Sequence, residues 1–148
     1  MEESIKENLT ECIKTNLNIE GANPHSMSSL VLAYIGDGIY DLVIRTMLLD
    51  NGNMQVNKIN RKACSIVKAE TQSKIIGVLE EELTESELAV YKRGRNAKSY
   101  TSAKNASISD YRRATGFEAL MGYLYLDGQF DRMTKLIAMG LDRIGENK

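Results

Sequence analysis

A chain of 148 residues with 43% hydrophobic and 26% charged positions can bury one real core, which points to a single globular domain. Its longest apolar run is interrupted by Asp37, Asp41 and Arg45, and its Met-Glu-Glu start lacks the order of a signal peptide, so membrane insertion and secretion are not expected. The net charge of −1 argues against a nucleic-acid binder, but between Lys92 and Arg113 stand seven bases and only one acid, Asp110. That asymmetry is the footprint of a phosphate-binding surface or, more plainly, of a solvated basic loop. Cys12 and Cys64 have neither metal-ligand nor disulfide spacing and read as buried, reduced thiols of a cytoplasmic protein.

In chain order, Ile5, Leu9, Cys12, Ile13 and Leu17 recur at helical spacing, which predicts an amphipathic helix over residues 4–17. Gly21-Ala22-Asn23-Pro24 ends it, with the lone His25 in the turn as an ordinary loop residue. Residues 1–22 are expected to form a helix and turn ahead of a compact unit over 23–148. Ser26 or Ser28 caps the next helix, a central one running through LVLAYIGDGIYDLVIR to about Asp50, where Asn51-Gly52-Asn53 stops it. Val56, Ile59, Ala63, Ile66 and Val67 mark a third helix; Ile75, Ile76, Leu79 and Leu83 mark a fourth. Thr84 and Glu87 have capping-box spacing and open a fifth helix through Tyr91. Residues 92–107 lose periodicity and read as a loop. A sixth helix starts near Ser109 and carries YRRATGFEALMGYLYLD, and a seventh uses Met133, Leu136, Ile137, Leu141 and Ile144. Period-two alternation is absent, so the fold class is all-α.

Two of these helices carry acid where apolar residues dominate. A buried carboxylate has to be neutralised by a proton, a cation or a metal. Asp41 has Arg45 one turn on as an ordinary ion-pair partner. Asp37 is flanked by Gly36 and Gly38, each costing a helix interior about 1 kcal/mol relative to alanine, a loss tolerated where a backbone or ligand comes close. Glu118 lies between Gly116 and Gly122; it either pairs with Arg112 or Arg113, or shares a hard cation with Asp37. Mg²⁺ suits such a pair, since it commonly takes one or two carboxylates and completes its shell with water and phosphate.

The segment LAYIGDGIYDLVIR resembles the signature helix of ribonuclease III catalytic domains. KRGRNAKS, KNAS and YRRATGFEALMGYLYL, in that order, are similar to the compact Mini-ribonuclease III branch of that family. The likeness runs from about Leu30 to Arg132. It implies a ribonuclease III-like helical bundle, a homodimer, and Mg²⁺-dependent cleavage of double-stranded RNA that leaves 5′-phosphate and 3′-hydroxyl ends. It further implies a role in maturing the 23S ribosomal RNA precursor, with a ribosomal protein as a conceivable cofactor.

Carried over by position, the catalytic and metal-holding acids are Asp37 and Glu118, with Asp41 behind them. RNA contacts fall to Lys92, Arg93, Arg95, Asn96, Lys98, Lys104, Arg112 and Arg113, and part of the dimer contact to Gly38, Ile39, Leu42 and Val43. The larger enzymes carry a Glu four before the Asp and an Asp three before the Glu, where this chain has Ala33 and Thr115. Two other readings compete. An all-α nucleotide pyrophosphohydrolase would use Glu82 and Glu85 as paired acids, but no second acidic pair follows; a non-catalytic RNA-binding module would have no need of Asp37 and Glu118.

Overall fold

The computed structural model describes residues 8–98 and 107–146, and within them every regular element is helical. The helices are α1 (Leu9–Leu17), α2 (Ser29–Leu49), α3 (Val56–Val67), α4 (Ala69–Leu79), α5 (Glu85–Asn96), α6 (Ile108–Leu126) and α7 (Phe130–Ile144). The all-α expectation holds. Side-chain caps open α1, α2, α5 and α6. The Asn8 side chain accepts from Glu11 N at 2.9 Å, Ser28 from Val31 N at 3.3 Å, and Ser107 from Asp110 N at 3.0 Å. Both halves of the Thr84–Glu87 capping box are present. Ser28, then, caps α2; Ser26 belongs to a short 3-10 turn, Pro24–Ser26.

Three expectations need correction. The central helix is α6, not α2: eleven residues of α6 are buried against six of α2. Helices α2, α4, α5 and α7 pack around α6, so α2 has an outer face, on which Tyr34 is 81% exposed. The second correction concerns residues 92–96, which continue α5 instead of forming a loop. Their inward position is Gly94, whose added Cβ would lie 2.9 Å from the Gly116 Cα of α6. A glycine in the seam carries no apolar signal, so the periodicity fades while the helix goes on. Third, the cysteines are not both buried: Cys12 is half-buried and Cys64 is exposed on α3. The part of the N-terminal helix before Asn8, Ile5 included, lies outside the described residues.

One seam positions everything that follows. A Cβ on Gly36 of α2 would overlap the Glu118 carbonyl oxygen of α6, and one on Gly122 would overlap the Leu32 carbonyl of α2. The two helices therefore touch backbone to backbone, which is possible only because both positions lack a side chain. Beneath the seam, Tyr40 is fully buried, meets Phe117 edge-on at 5.2 Å, and donates its hydroxyl proton to Ile66 O at 3.2 Å. That bond ties α3 to α2 just before the chain turns at Lys68 into α4.

Candidate active site

The Gly36–Gly122 seam brings Asp37 of α2 beside Glu118 of α6. Asp37 is exposed, which corrects the expectation that both acids are buried; Glu118 is half-buried at the edge of the core. Burial, foremost, and then the Asp37 charge and a hydrogen bond with Asp37 push the Glu118 carboxyl up to about 8. Pulling the other way is the amide of Gln72, whose Nε2 donates to Glu118 Oε2 at 3.2 Å. No ion pair between Glu118 and Arg112 or Arg113 is present among the described residues. Instead Arg113 lies across α4, where a Cβ on Gly77 would come within 2.6 Å of its Nη2. Asp41 takes the ordinary alternative and pairs with Arg45 at 2.9 Å.

Two adjacent carboxylates, one of them kept from ionising by desolvation and its neighbour's charge, form a site that gains by receiving a cation. No cluster of three or more metal-ligating acids, histidines or cysteines exists among the described residues. The donor set is two carboxylates and no softer ligand, which fits a hard, partly hydrated divalent ion. Thr115 donates its hydroxyl proton to Tyr111 O at 3.0 Å, turned to its own helix, and Ala33 is buried. Beside Glu118 opens a hollow of about 200 Å³, lined among others by Val67, Gln72, Tyr111 and Thr115.

The basic residues sit on two elements. Lys92 and Arg93 are exposed on α5, followed by exposed Asn96 and Lys98. Arg95 is half-buried, with its guanidinium 5.6 Å from the centre of the Tyr91 ring and its Nε donating to Asn96 Oδ1 at 3.2 Å. Arg112 is exposed on the first turns of α6. Lys104 lies outside the described residues. Of the residues expected at a dimer contact, Gly38 and Leu42 face outward, while Ile39 and Val43 are half-buried against the core. Among the described residues nothing comes within 4 Å of a Cβ placed on Gly38.

Sequence reasoning missed Gln72. It is 2% exposed, and its Oε1 has no hydrogen-bond partner among the described residues. Gln72, Ile75, Ile76 and Leu79 share the inward spacing of α4, so a polar residue in register with that apolar set was the available signal.

Comparison with known proteins agrees with this architecture. The ribonuclease III domain family matches residues 30–129. Mini-ribonuclease 3 of Clostridium tetani is 48% identical over 82% of this chain and 81% of its own length. Mini-ribonuclease 3 of Enterococcus faecalis is 46% identical over 81% of this chain and 92% of its own. In three dimensions, the crystal structure of protein FN1578 from Fusobacterium nucleatum superposes with a TM-score of 0.72 at 29% identity, covering 79% of this chain and 93% of that one. The chain belongs to the ribonuclease III family and is an endoribonuclease.

Proposed function

We propose that this endoribonuclease cleaves double-stranded RNA with Mg²⁺ at the Asp37–Glu118 pair, works as a homodimer, and matures the ends of the 23S ribosomal RNA precursor. The observation that carries the reading is the pair itself: two adjacent carboxylates from two helices, with no basic side chain paired to either among the described residues. Bound there, Mg²⁺ supplies charge that acidifies water and neutralises phosphate oxygens. The protein's part is to hold the two carboxylates at a fixed spacing through the glycine seam. Lys92, Arg93 and Lys98 meet the phosphates, and Arg95, held on Tyr91, presents a fixed guanidinium edge. Duplex RNA is recognised chiefly by shape, ribose and phosphate, so these residues anchor without choosing bases. The products carry 5′-phosphates and 3′-hydroxyls, the cytoplasm is the compartment where the precursor is met, and residues 1–22 are accessory to the catalytic unit.

The outer face of α2 supports the dimer. Leu30, Tyr34, Leu42 and Leu49 are exposed along it, with Gly38 between them. At its far end, Arg45, Leu49, Val56, Ile59 and Ala63 line a largely apolar hollow of about 350 Å³. Tyr34 and Arg45 are eleven residues apart, close to three whole turns, so they share one face about 16 Å apart. A two-fold axis through the helix midway between them passes close to Gly38 and Leu42. It sets each Tyr34 against the partner's hollow, and each site then cuts one strand to leave short 3′ overhangs.

Cleavage of duplex RNA with and without Mg²⁺, with both product strands end-mapped, tests the chemistry. Light scattering at micromolar protein tests the assembly. A monomeric mass with unpaired nicks removes the dimer, and undiminished cleavage in chelator removes the metal. Trimming of a 23S precursor, naked or bearing its ribosomal proteins, tests the substrate.

A further inference from the structure

We propose that Gln72 is a positioning residue of the cation site: its side-chain amide, clamped at the joint of α3 and α4, fixes the Glu118 carboxylate. The inference rests on the nuclease reading above. Gln72 Nε2 has two protons, and both are placed: one on Val67 O at 2.7 Å, the other on Glu118 Oε2 at 3.2 Å. Val67 closes α3 and Gln72 lies in the first turns of α4, so the amide is clamped by the joint between two helices before it reaches α6. With its nitrogen held by a carbonyl, the amide cannot turn over, and Oε1 is left without a partner among the described residues, at a residue 2% exposed.

An orphan acceptor at that depth is costly, and the two bonds made by the nitrogen offset that cost. One oxygen of Glu118 accepts from the amide, which leaves the other for a cation. With Ala33 buried and the Thr115 hydroxyl turned onto Tyr111 O, the Gln72 amide is a neutral group holding one of the two acids in place. Groups that orient metal-holding carboxylates in this way are typically worth 10- to 100-fold in metal affinity.

The test uses Mn²⁺ as probe, with free ion counted by electron paramagnetic resonance in the full-length protein without RNA. Gln72→Met should weaken Mn²⁺ binding at least about tenfold and leave metal-free duplex binding unchanged. Thr71→Val is the control: Thr71 Oγ1 donates to Ser65 O at 2.6 Å, so its loss loosens the same joint without touching Glu118. That variant should bind Mn²⁺ as the wild type does. Equal weakening in both variants would show that the joint matters and the amide does not, which overturns the proposal. Should Gln72→Met fail to fold, the wild-type protein answers alone. Its Gln72 side-chain amide resonances should shift on Mg²⁺ addition, and an unmoved signal overturns the proposal. Wild-type protein that binds Mn²⁺ and cleaves, beside a Gln72→Met protein of equal affinity, overturns only the role of Gln72. Wild-type protein that does neither overturns the nuclease reading with it.

Discussion

Glu87 and Glu118 are both glutamates pressed against the core, and the fold treats them in opposite ways. Glu87 closes the Thr84 capping box and is gripped by Arg132, whose Nε and Nη2 each donate to it at 2.8 Å. That pair, ahead of the cost of burial, holds the Glu87 carboxyl below the usual range. Glu118 has an amide and a second acid for company, and its carboxyl is pushed up to about 8. The difference teaches what a buried acid is for. Where helix α7 brings its own guanidinium, the acid is part of the scaffold; where α2 and α4 bring none, the proposed reading has it receive a cation from outside.

The strongest way to break the comparison is to remove charge at the open pair. Asp37→Asn and Glu118→Gln should each lower duplex cleavage at least about 10³-fold, the equivalent of several kcal/mol of lost charge stabilisation, with the helical circular-dichroism spectrum intact. Turnover within tenfold of wild type would take that residue out of the site. The same swap at the closed pair should do the reverse. Glu87→Gln should leave activity per folded molecule unchanged but cost about 2–3 kcal/mol in urea unfolding. That is below the range for a fully buried pair because Arg132 keeps some contact with solvent. A loss under 0.5 kcal/mol would show that the pair contributes nothing measurable.

Acidity sharpens the contrast. The Glu87 carboxyl is lowered in the folded state, so its stabilisation is present above its ordinary value and is lost as pH falls through the lowered one. The Glu118 carboxyl is raised, so without metal the folded state holds a proton that the unfolded chain has released, and stability declines as pH climbs from about 4.5 to about 8. Glu87→Gln should flatten the acid limb of the stability profile and Glu118→Gln the neutral-to-alkaline one. Cation affinity should rise over that second window, since the ion competes with the proton. An unchanged slope between pH 5 and 8 in Glu118→Gln would contradict the assignment. The smallest effect belongs to the anchors. Neutralising Arg93 and Arg95 together should weaken binding to all duplex sequences alike and reduce the salt slope by about one to two, at just under one per phosphate contact. A changed sequence preference would make them readers.

Much of this was legible in the residues before any coordinates. Apolar periodicity located six of the helices, and the paired glycines around Asp37 and Glu118 announced a close approach. The partners of that approach were not legible: Gly36 and Gly122 meet across the seam, whereas Gly38 faces open space and Gly116 packs against Tyr91 of α5. Spacing along one helix says which residues share a face, and the choice of neighbour belongs to tertiary packing. The same limit explains Asp37. An apolar helix suggested burial, but a helix that lies on one side of α6 keeps an outer face whatever its composition. The last five residues of α5 were hidden for a different reason, since a glycine can be the packed residue and leave no hydrophobic trace.

The backbone contact at Gly36 and Gly122 has a consequence for how this protein can vary. Where helices are spaced by side chains, exchanging a leucine for a methionine shifts one against the other by fractions of an ångström. Here the spacing is a hard stop, main chain on main chain, and the two carboxylates inherit it directly. Core residues such as Leu120 or Ile44 are then free to drift under selection for stability, because the gauge of the site is kept elsewhere. The freedom is bought with two positions that admit no change at all, one glycine on each helix.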